Sequence, residues 1–452
     1  MKIVLLSGCS GWRLWPLSNE ARSKQFLQRL QDEKGARESM IQRVYRQLCE
    51  SGLKDEGEVC VVTSAAQEDA IRSQLGSQIR VIVEPSRRDT FPAAAMAGEY
   101  LYHELQVDPE EILLMLPVDT YVEKEYFSLL PKLQEALQDS VADVMLIGTT
   151  PTYPSAKYGY MIPGEKLGKT ESTDGYRVTR YIEKPTEKEA EALLKQGAWW
   201  NTGVFAFRLG FLMQLVRSFT KADTLQEFEK DYDRLPSRSF DYEVLQQHGN
   251  IAMLPYQGKW KDLGTWNTLT EEMSEQNIGA VTQGEACENT HVINELSIPV
   301  LVLGARNMVV AASPDGILVS DKHKSSYIKP YVQRMDSRPM YEERRWGEYK
   351  VLDYNQYEDG SKSLTKHLTI LEGRSISYQK HTHRDEIWTI VDGTGELLID
   401  GEVRPVKRGD VAYIRKGQLH AMRASTDLQF IEVQIGPELA EEDIERFSWE
   451  WK

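Results

Sequence analysis

Lys2-Ile3-Val4-Leu5-Leu6 followed by Ser7-Gly8-Cys9-Ser10-Gly11-Trp12-Arg13 opens the chain, and Lys24 comes eleven positions beyond Arg13. The first five residues are β-branched or apolar enough for a buried parallel strand. The small residues behind them let the backbone turn tightly with its N–H groups free to face an anion. Read this way, Gly8, Ser10 and Gly11 form a phosphate cradle, and Arg13 and Lys24 add positive charge where a triphosphate must lie. No Gly-Lys-Ser/Thr opens the next helix and no Gly-x-Gly-x-x-Gly is present, so the loop is neither a P-loop nor a dinucleotide fingerprint. The plain alternative is a small-residue strand-to-helix turn of the kind many α/β proteins contain.

Outward from that loop, short apolar strands alternate with amphipathic helices to about residue 275, the pattern of a mainly parallel sheet covered by helices on both faces. Ser39-x-x-Gln42 and Thr186-x-x-Glu189 are capping boxes; Gly52 and Gly197 end the segments they start. Val59 to Thr63, Ile79 to Glu84 and Trp199 to Arg208 read as strands. From about 278 to 332 the helical pattern stops and brief strands alternate with turn residues, a connector of stacked β turns. Residues 333 to 345, polar and containing Pro339, read as a linker, and from Tyr349 onward the chain is almost wholly β and can close into a small barrel. The expected division is 1–275, 276–335 and 336–452.

At 452 residues the chain is too long for one ordinary core. Its net charge of −15 argues against a nucleic-acid partner, which needs a broad basic face. An anionic substrate must then be met by a local basic pocket and metal ions. No apolar run approaches the ~18 residues of a membrane span and no signal-peptide pattern opens the chain, so a cytoplasmic protein is expected. Cys9, Cys49, Cys60 and Cys287 show neither Cys-x-x-Cys spacing nor a disulfide framework, which suits a reducing compartment.

Gly8 to Ser18 with Ser23-Lys24-Gln25-Phe26-Leu27 resembles the opening of the mannose-1-phosphate guanylyltransferases, usually GGSGTRLWPLS followed by PKQF. Further matches follow in order: Glu84-Pro85 to Pro92, Leu116-Pro117-Val118-Asp119, Tyr158-Gly159-Tyr160, Glu183-Lys184-Pro185, Trp200-Asn201-Thr202-Gly203, Phe240-Asp241-Tyr242 and Trp260 to Trp266. Gln379 to Gly436 resembles the cupin of type II phosphomannose isomerases, which follows the transferase in two-headed members of that family. The implied fold is a Rossmann-like α/β nucleotidyltransferase of mixed, mainly parallel sheet, then a β connector and an all-β cupin barrel.

Asp119 ends the apolar run Ile112 to Leu116, at the carboxyl end of a strand where open α/β sheets gather ligands. It is the natural Mg²⁺ ligand, and the resemblance makes Asp262 its partner carboxylate. Arg13 and Lys24 are then the cations for the triphosphate and the departing pyrophosphate. The resemblance further assigns Glu84 to the nucleotide, Glu183 and Asn201 to sugar hydroxyls and Lys184 to the sugar phosphate, while Gly159 allows close approach of substrate. Three departures stand out: Cys9 replaces a glycine, Trp12 a threonine, and Thr120 the histidine that usually follows the Asp. If residue 9 needs a left-handed backbone, its side chain costs roughly 1–2 kcal/mol.

His381-x-His383 puts both imidazoles on one face of a strand, because side chains alternate with period two. Glu386 precedes Gly393 by a six-residue spacer, and Gly409-x5-Arg415-x-Gly417-x2-His420 repeats the second cupin motif with Arg for Pro. His381, His383, Glu386 and His420 can hold Zn²⁺ or another divalent ion, with Gln379 a further ligand by resemblance. Lys366 and Glu432 are candidates for an isomerase base, and Arg344-Arg345-Trp346-Gly347 departs from the family's Arg-Pro-Trp-Gly. The expectation is GDP-mannose formation from GTP and mannose 1-phosphate, with mannose-6-phosphate isomerisation in the cupin and a homodimer as the assembly. Two rivals remain: a transferase for another hexose 1-phosphate or base with a purely structural cupin, and a non-catalytic nucleotide-sugar binder.

Overall fold

The computed structural model describes residues 1–8, 11–19, 22–53, 59–167, 175–247, 249–335, 338–440 and 443–451. The expected Cys9 and Ser10 lie outside the described residues. The chain divides into two compact units: residues 1–14, 23–275 and 322–328 form the first, and 15–22, 276–321 and 329–452 the second.

In the first unit, nine strands of the described residues form one sheet. Four run parallel in the order Arg80–Glu84, Val59–Ser64, Lys2–Leu6 and Ile112–Pro117. Trp199–Arg208 then enters antiparallel and joins the parallel pair Val144–Thr149 and Ile251–Tyr256, with Tyr176–Glu183 and Gly159–Lys166 beyond. Alternation along Lys2–Leu6 splits the core in two. Val4 and Leu6 pack with the helices Thr90–His103 and Leu209–Val216, whereas Ile3 and Leu5 pack with Met40–Glu50 and Leu129–Asp139. Both capping boxes form: the Gln42 N–H donates to Ser39 Oγ at 3.2 Å and the Ser39 N–H to Gln42 Oε1 at 3.0 Å, and Thr186 and Glu189 repeat the exchange. Gly52 (φ 78°) and Gly197 (φ 74°) take the left-handed turns that follow.

The second unit holds the connector and the cupin. Asn277–Ile278, His291–Asn294 and Met308–Ser313 stack parallel, as do Val281–Gln283 and Val300–Val302, so the connector winds in successive rungs. Residues 15–22 pack against it, with Arg22 bonding Glu295 at 2.8 Å and Asn19 bonding Asp315 at 2.9 Å. Tyr341–Arg344, expected within a linker, is instead a strand paired with Gly347–Gln356. Its charges hid the hairpin: Glu342 is met by Arg344, and the buried Tyr341 ring carries the Arg22 guanidinium 4.9 Å above its centroid.

The cupin comprises two antiparallel sheets, of six and five strands, enclosing a core that includes Leu364, Trp388, Leu397, Met422 and Phe430. Strand Glu445–Phe447, exposed throughout and unsignalled in sequence, adds to the edge of Tyr378–Lys380. Among the described residues no helix is long and apolar enough to cross a membrane. Cys49, Cys60 and Cys287 form no disulfide among the described residues.

Candidate functional site

Gly8 lies just past the strand Lys2–Leu6, and a Cβ there would stand 2.9 Å from Glu84 Oε1. Glycine is needed for that approach. Glu84 accepts from the Tyr232 hydroxyl at 2.7 Å; burial pushes its carboxyl up to about 7 despite that bond and the nearby Arg87 charge. Gly11 is buried and leads into a 3-10 turn, Trp12–Leu14, that carries the exposed Arg13. A second such turn, Lys24–Phe26, is locked to the first strand by buried Gln25, whose Nε2 donates to Ser7 O at 2.9 Å and Ser7 Oγ at 3.2 Å. That anchor delivers the Lys24 ammonium to Asp119, with which it forms an ion pair.

Asp119 sits in the bend between Ile112–Pro117 and Thr120–Val122. The latter pairs antiparallel with Trp260–Asp262, which places Asp262 opposite Thr120. The Leu263 N–H donates to Asp119 O at 3.0 Å and the Gly264 N–H to Asp262 Oδ1 at 2.8 Å. A Cβ on Gly264 would stand 2.8 Å from Asp262 Oδ1 and 3.0 Å from Lys24 Nζ, so a side chain there would displace both charged ends from this point. Burial works against ionisation of Asp119, but Lys24 and Arg13 outweigh it and hold the carboxyl below its usual range. Burial and the Asp119 charge push Asp262 the other way, against Lys24 and Arg13. Two carboxylates facing one another's charge in a cationic pocket form a donor set that suits Mg²⁺.

Next to this cluster the strand Gly159–Lys166 pairs with Tyr176–Glu183, putting Gly159 opposite Glu183. A Cβ on Gly159 would collide with Tyr181 Oη and Glu183 Oε2. Asn201, before a register shift in Trp199–Arg208, donates through Nδ2 to Asp241 Oδ1 at 2.8 Å and to Tyr181 Oη at 3.1 Å. Tyr181 Oη is also 2.8 Å from Glu183 Oε2 and 2.9 Å from Asp241 Oδ1. Lys184 has a left-handed backbone (φ 47°), and its ammonium folds back onto Glu183 Oε1 at 2.8 Å and over the Tyr242 ring. Burial and the Glu183 charge raise Asp241 to about 7.

The structure thus gathers Arg13, Lys24, Asp119 and Asp262 into one group, Gly8 and Glu84 into a second, and Gly159, Glu183, Lys184 and Asn201 into a third. Tyr158 joins the first group to the third: it adjoins Gly159, and its ring lies 5.3 Å from that of Trp260, two residues before Asp262. Sequence reasoning gave no role to Tyr181, Asp241 or Lys157. Asp241 lay within the quoted Phe240-Asp241-Tyr242, and Lys157 directly precedes Tyr158-Gly159-Tyr160, which were the available signals. Lys157 borders a cavity of about 980 Å³ that Asp262, Tyr158, Trp200 and Trp260 also line. Burial and Arg13 lower its ammonium, against Asp262.

In the cupin, His381, Glu386 and His420 are buried with ligand atoms mutually within 4.8 Å. Carbonyl oxygens only accept, so His381 Nδ1, 2.6 Å from Asp443 O, and His420 Nδ1, 3.0 Å from Gln418 O, must each carry a proton. The Nε2 lone pairs then face Glu386, at 3.2 Å from Oε1 and 3.5 Å from Oε2. Burial lowers the pKa of both imidazoles and so favours their neutral form, against the Glu386 charge. His420 Nε2 has no hydrogen-bond partner among the described residues. Three converging acceptors with one orphaned could hold a divalent cation.

One expected ligand, His383, falls outside this group, while Gln379 lies opposite His420 on the adjacent strand. The strand Tyr378–Lys380 stops before His381, so period-two alternation does not carry His383 to the same face. His383 is half exposed and bonds Asp443 Oδ1 at 3.0 Å. Gln379 Oε1 accepts from Ser377 Oγ at 2.8 Å. Arg384, unforeseen, is buried and donates from Nε to Glu386 Oε1 at 3.0 Å. Lys366 and Glu432 pair across adjacent strands and are both buried.

Residues 2–277 match the family model for nucleotidyl transferases, and residues 335–449 match that for the mannose-6-phosphate isomerase C-terminal region. The chain is 30% identical to the alginate biosynthesis protein AlgA of Pseudomonas putida, over 98% of this chain and 95% of that one. It is 28% identical to the mannose-1-phosphate guanylyltransferase ManC of Salmonella typhimurium, over 98% and 97%. A crystal structure described as mannose-1-phosphate geranyltransferase, from Thermus thermophilus, matches with a TM-score of 0.60 at 28% identity, covering 74% of this chain and 99% of that one. Fold and comparisons together define a nucleotidyltransferase that carries an isomerase-type cupin. The chain belongs to the mannose-1-phosphate guanylyltransferase family with a C-terminal mannose-6-phosphate isomerase domain.

Proposed function

We propose that the first unit forms GDP-mannose and pyrophosphate from GTP and mannose 1-phosphate. The observation that carries this reading is the convergence of Lys24, Asp119 and Asp262 beside Arg13, next to the polar group that holds Glu183 and Asn201. A phosphate oxygen of the sugar attacks the α-phosphorus of the triphosphate, the bond to the β-phosphate breaks, and pyrophosphate leaves with the electron pair. Arg13 and Lys24 neutralise the charge that grows on the leaving group, a task worth more in the transition state than in the bound substrate. Glu183 and Asn201 hold sugar hydroxyls, Lys184 the sugar phosphate, and Glu84 with the glycine loop the nucleotide. Asp119 and Asp262 would hold Mg²⁺, which when bound neutralises phosphate oxygens and fixes them in line.

The cupin we read as isomerising mannose 6-phosphate and fructose 6-phosphate. His381, Glu386 and His420 would hold a divalent ion, Zn²⁺ or another, which when bound polarises the sugar's carbonyl and hydroxyl oxygens. Lys366 and Glu432 are the buried groups proposed to carry the proton between C1 and C2. Both activities suit a cytoplasmic homodimer.

The test is pyrophosphate release with four nucleoside triphosphates against several hexose 1-phosphates. GTP with mannose 1-phosphate should be fastest; another pair in front would reassign the substrate. Nucleotide-sugar binding without release for any pair would leave a non-catalytic binder, and Cys9→Gly would then be expected to restore turnover.

A further inference from the structure

Between Lys380 and Asp385 the chain leaves strand geometry, and its N–H groups need acceptors from elsewhere. They find them in the C-terminal segment. Strand Glu445–Phe447 pairs with Tyr378–Lys380, and Lys380 Nζ meets Glu445 Oε2 at 2.9 Å. This docking brings Asp443 onto the histidine loop. Its Oδ1 accepts from Thr382 N and its Oδ2 from His383 N, each at 3.0 Å. The same carboxylate takes His383 Nδ1 at 3.0 Å, while its main-chain oxygen takes His381 Nδ1 at 2.6 Å. Arg384 Nη1 extends the clamp to Ala440 O at 2.8 Å. The Asp443 side chain is 7% exposed, although the His383 ring it holds is half exposed.

One residue therefore acts on both histidines in different ways. By holding the proton on His381 Nδ1, the carbonyl leaves the ring a single lone pair, on Nε2, aimed at Glu386. The carboxylate instead ties His383 by its ring and its backbone. We propose that Asp443 is a positioning residue of the cupin metal centre, orienting His381 as a ligand and holding His383 out of the ligand set, so that His381, Glu386 and His420 leave positions open for substrate oxygens. This rests on the metal-centre reading above.

The test uses the full chain, stripped with a chelator and titrated with cobalt(II) chloride while its visible absorption is followed. His420→Ala supplies the blank, because it removes a cupin ligand and leaves the transferase carboxylates in place. Asp443→Ala keeps the main-chain oxygen but loses the carboxylate bonds to Thr382 N and His383 N that hold the loop against it, and should weaken cobalt binding about 10-fold. Asp443→Asn, which keeps one acceptor oxygen and nearly the same shape, should lose less and carries the test if the alanine variant misfolds by circular dichroism. His383→Ala should bind cobalt within about threefold of wild type and show the same spectrum. Wild-type affinity in both Asp443 variants overturns the proposal, as does loss of cobalt in His383→Ala. A wild type no better than the blank overturns the metal centre itself, a failure separable from the other two.

Discussion

In the first unit Asp119 meets a fixed ammonium, Lys24, and the second carboxylate, Asp262, stands nearby under the same cations. In the cupin Glu386 faces two imidazoles whose protons are turned away from it onto carbonyls. Asp119 and Glu386 both meet a standing cation, since Arg384 donates to Glu386 Oε1 at 3.0 Å, but only the cupin group adds converging imidazole lone pairs, one of them on an orphaned nitrogen. The difference teaches what each chemistry demands. Phosphoryl charge arrives with the substrate, so the transferase needs standing cations alongside its metal. A carbonyl carries no net charge, so the isomerase-type site needs a resident ion to polarise it.

The sharpest break of this comparison is Asp119→Asn, which should cut pyrophosphate release about 10³-fold and leave cupin metal content unchanged. A smaller loss would mean that Lys24 and Arg13 suffice alone. Next, His381→Ala combined with His420→Ala should lower cupin metal affinity at least about 100-fold while transferase turnover stays at wild type. Coupled loss in that double variant would show that the two regions do not function independently.

A third effect concerns pH. Glu84 has its folded pKa raised to about 7 by burial, above the value of roughly 4.3 in an unfolded chain. The native state therefore binds the extra proton, and the stability this contributes is present below about pH 4.3 and lost as pH rises towards 7. Glu84→Gln should flatten that slope and stabilise the first unit at pH 8 by on the order of 2 kcal/mol, read from urea unfolding at pH 5 and pH 8. An unchanged slope would place the titration elsewhere. Smallest of all, Ser39→Ala should cost about 1 kcal/mol, because the Gln42 N–H loses its acceptor. A thermal midpoint about 2–4 °C lower, confined to the first unit's transition, is the check.

Local patterns in the chain were legible where the physics is local. The capping boxes at Ser39 and Thr186 form because each needs only four consecutive residues, and Lys2–Leu6 is a buried parallel strand because its apolar run allows little else. Tyr341–Arg344 was not legible, since Glu343 is paired and the Tyr341 ring covered by Arg22, far away in the sequence. The same holds for His383: whether it shares a face with His381 depends on where a strand ends, and that end is set by the C-terminal segment docking from some sixty residues away.

Sequence alone determined the α/β and all-β character of the two regions, the order of the motifs and the residue types able to bind phosphate or metal, because periodicity, glycine spacing and donor chemistry are properties of short segments. Only the tertiary structure decided that Asp262 lies opposite Thr120 and so beside Asp119, that Asp241 and Tyr181 join Glu183 and Asn201, and that Asp443 holds the histidine loop. The physical reason is common to all three. Each contact joins residues from segments whose meeting is fixed by strand pairing and core burial, and the charge, tautomer and protonation of a buried group follow from whichever neighbours that packing supplies.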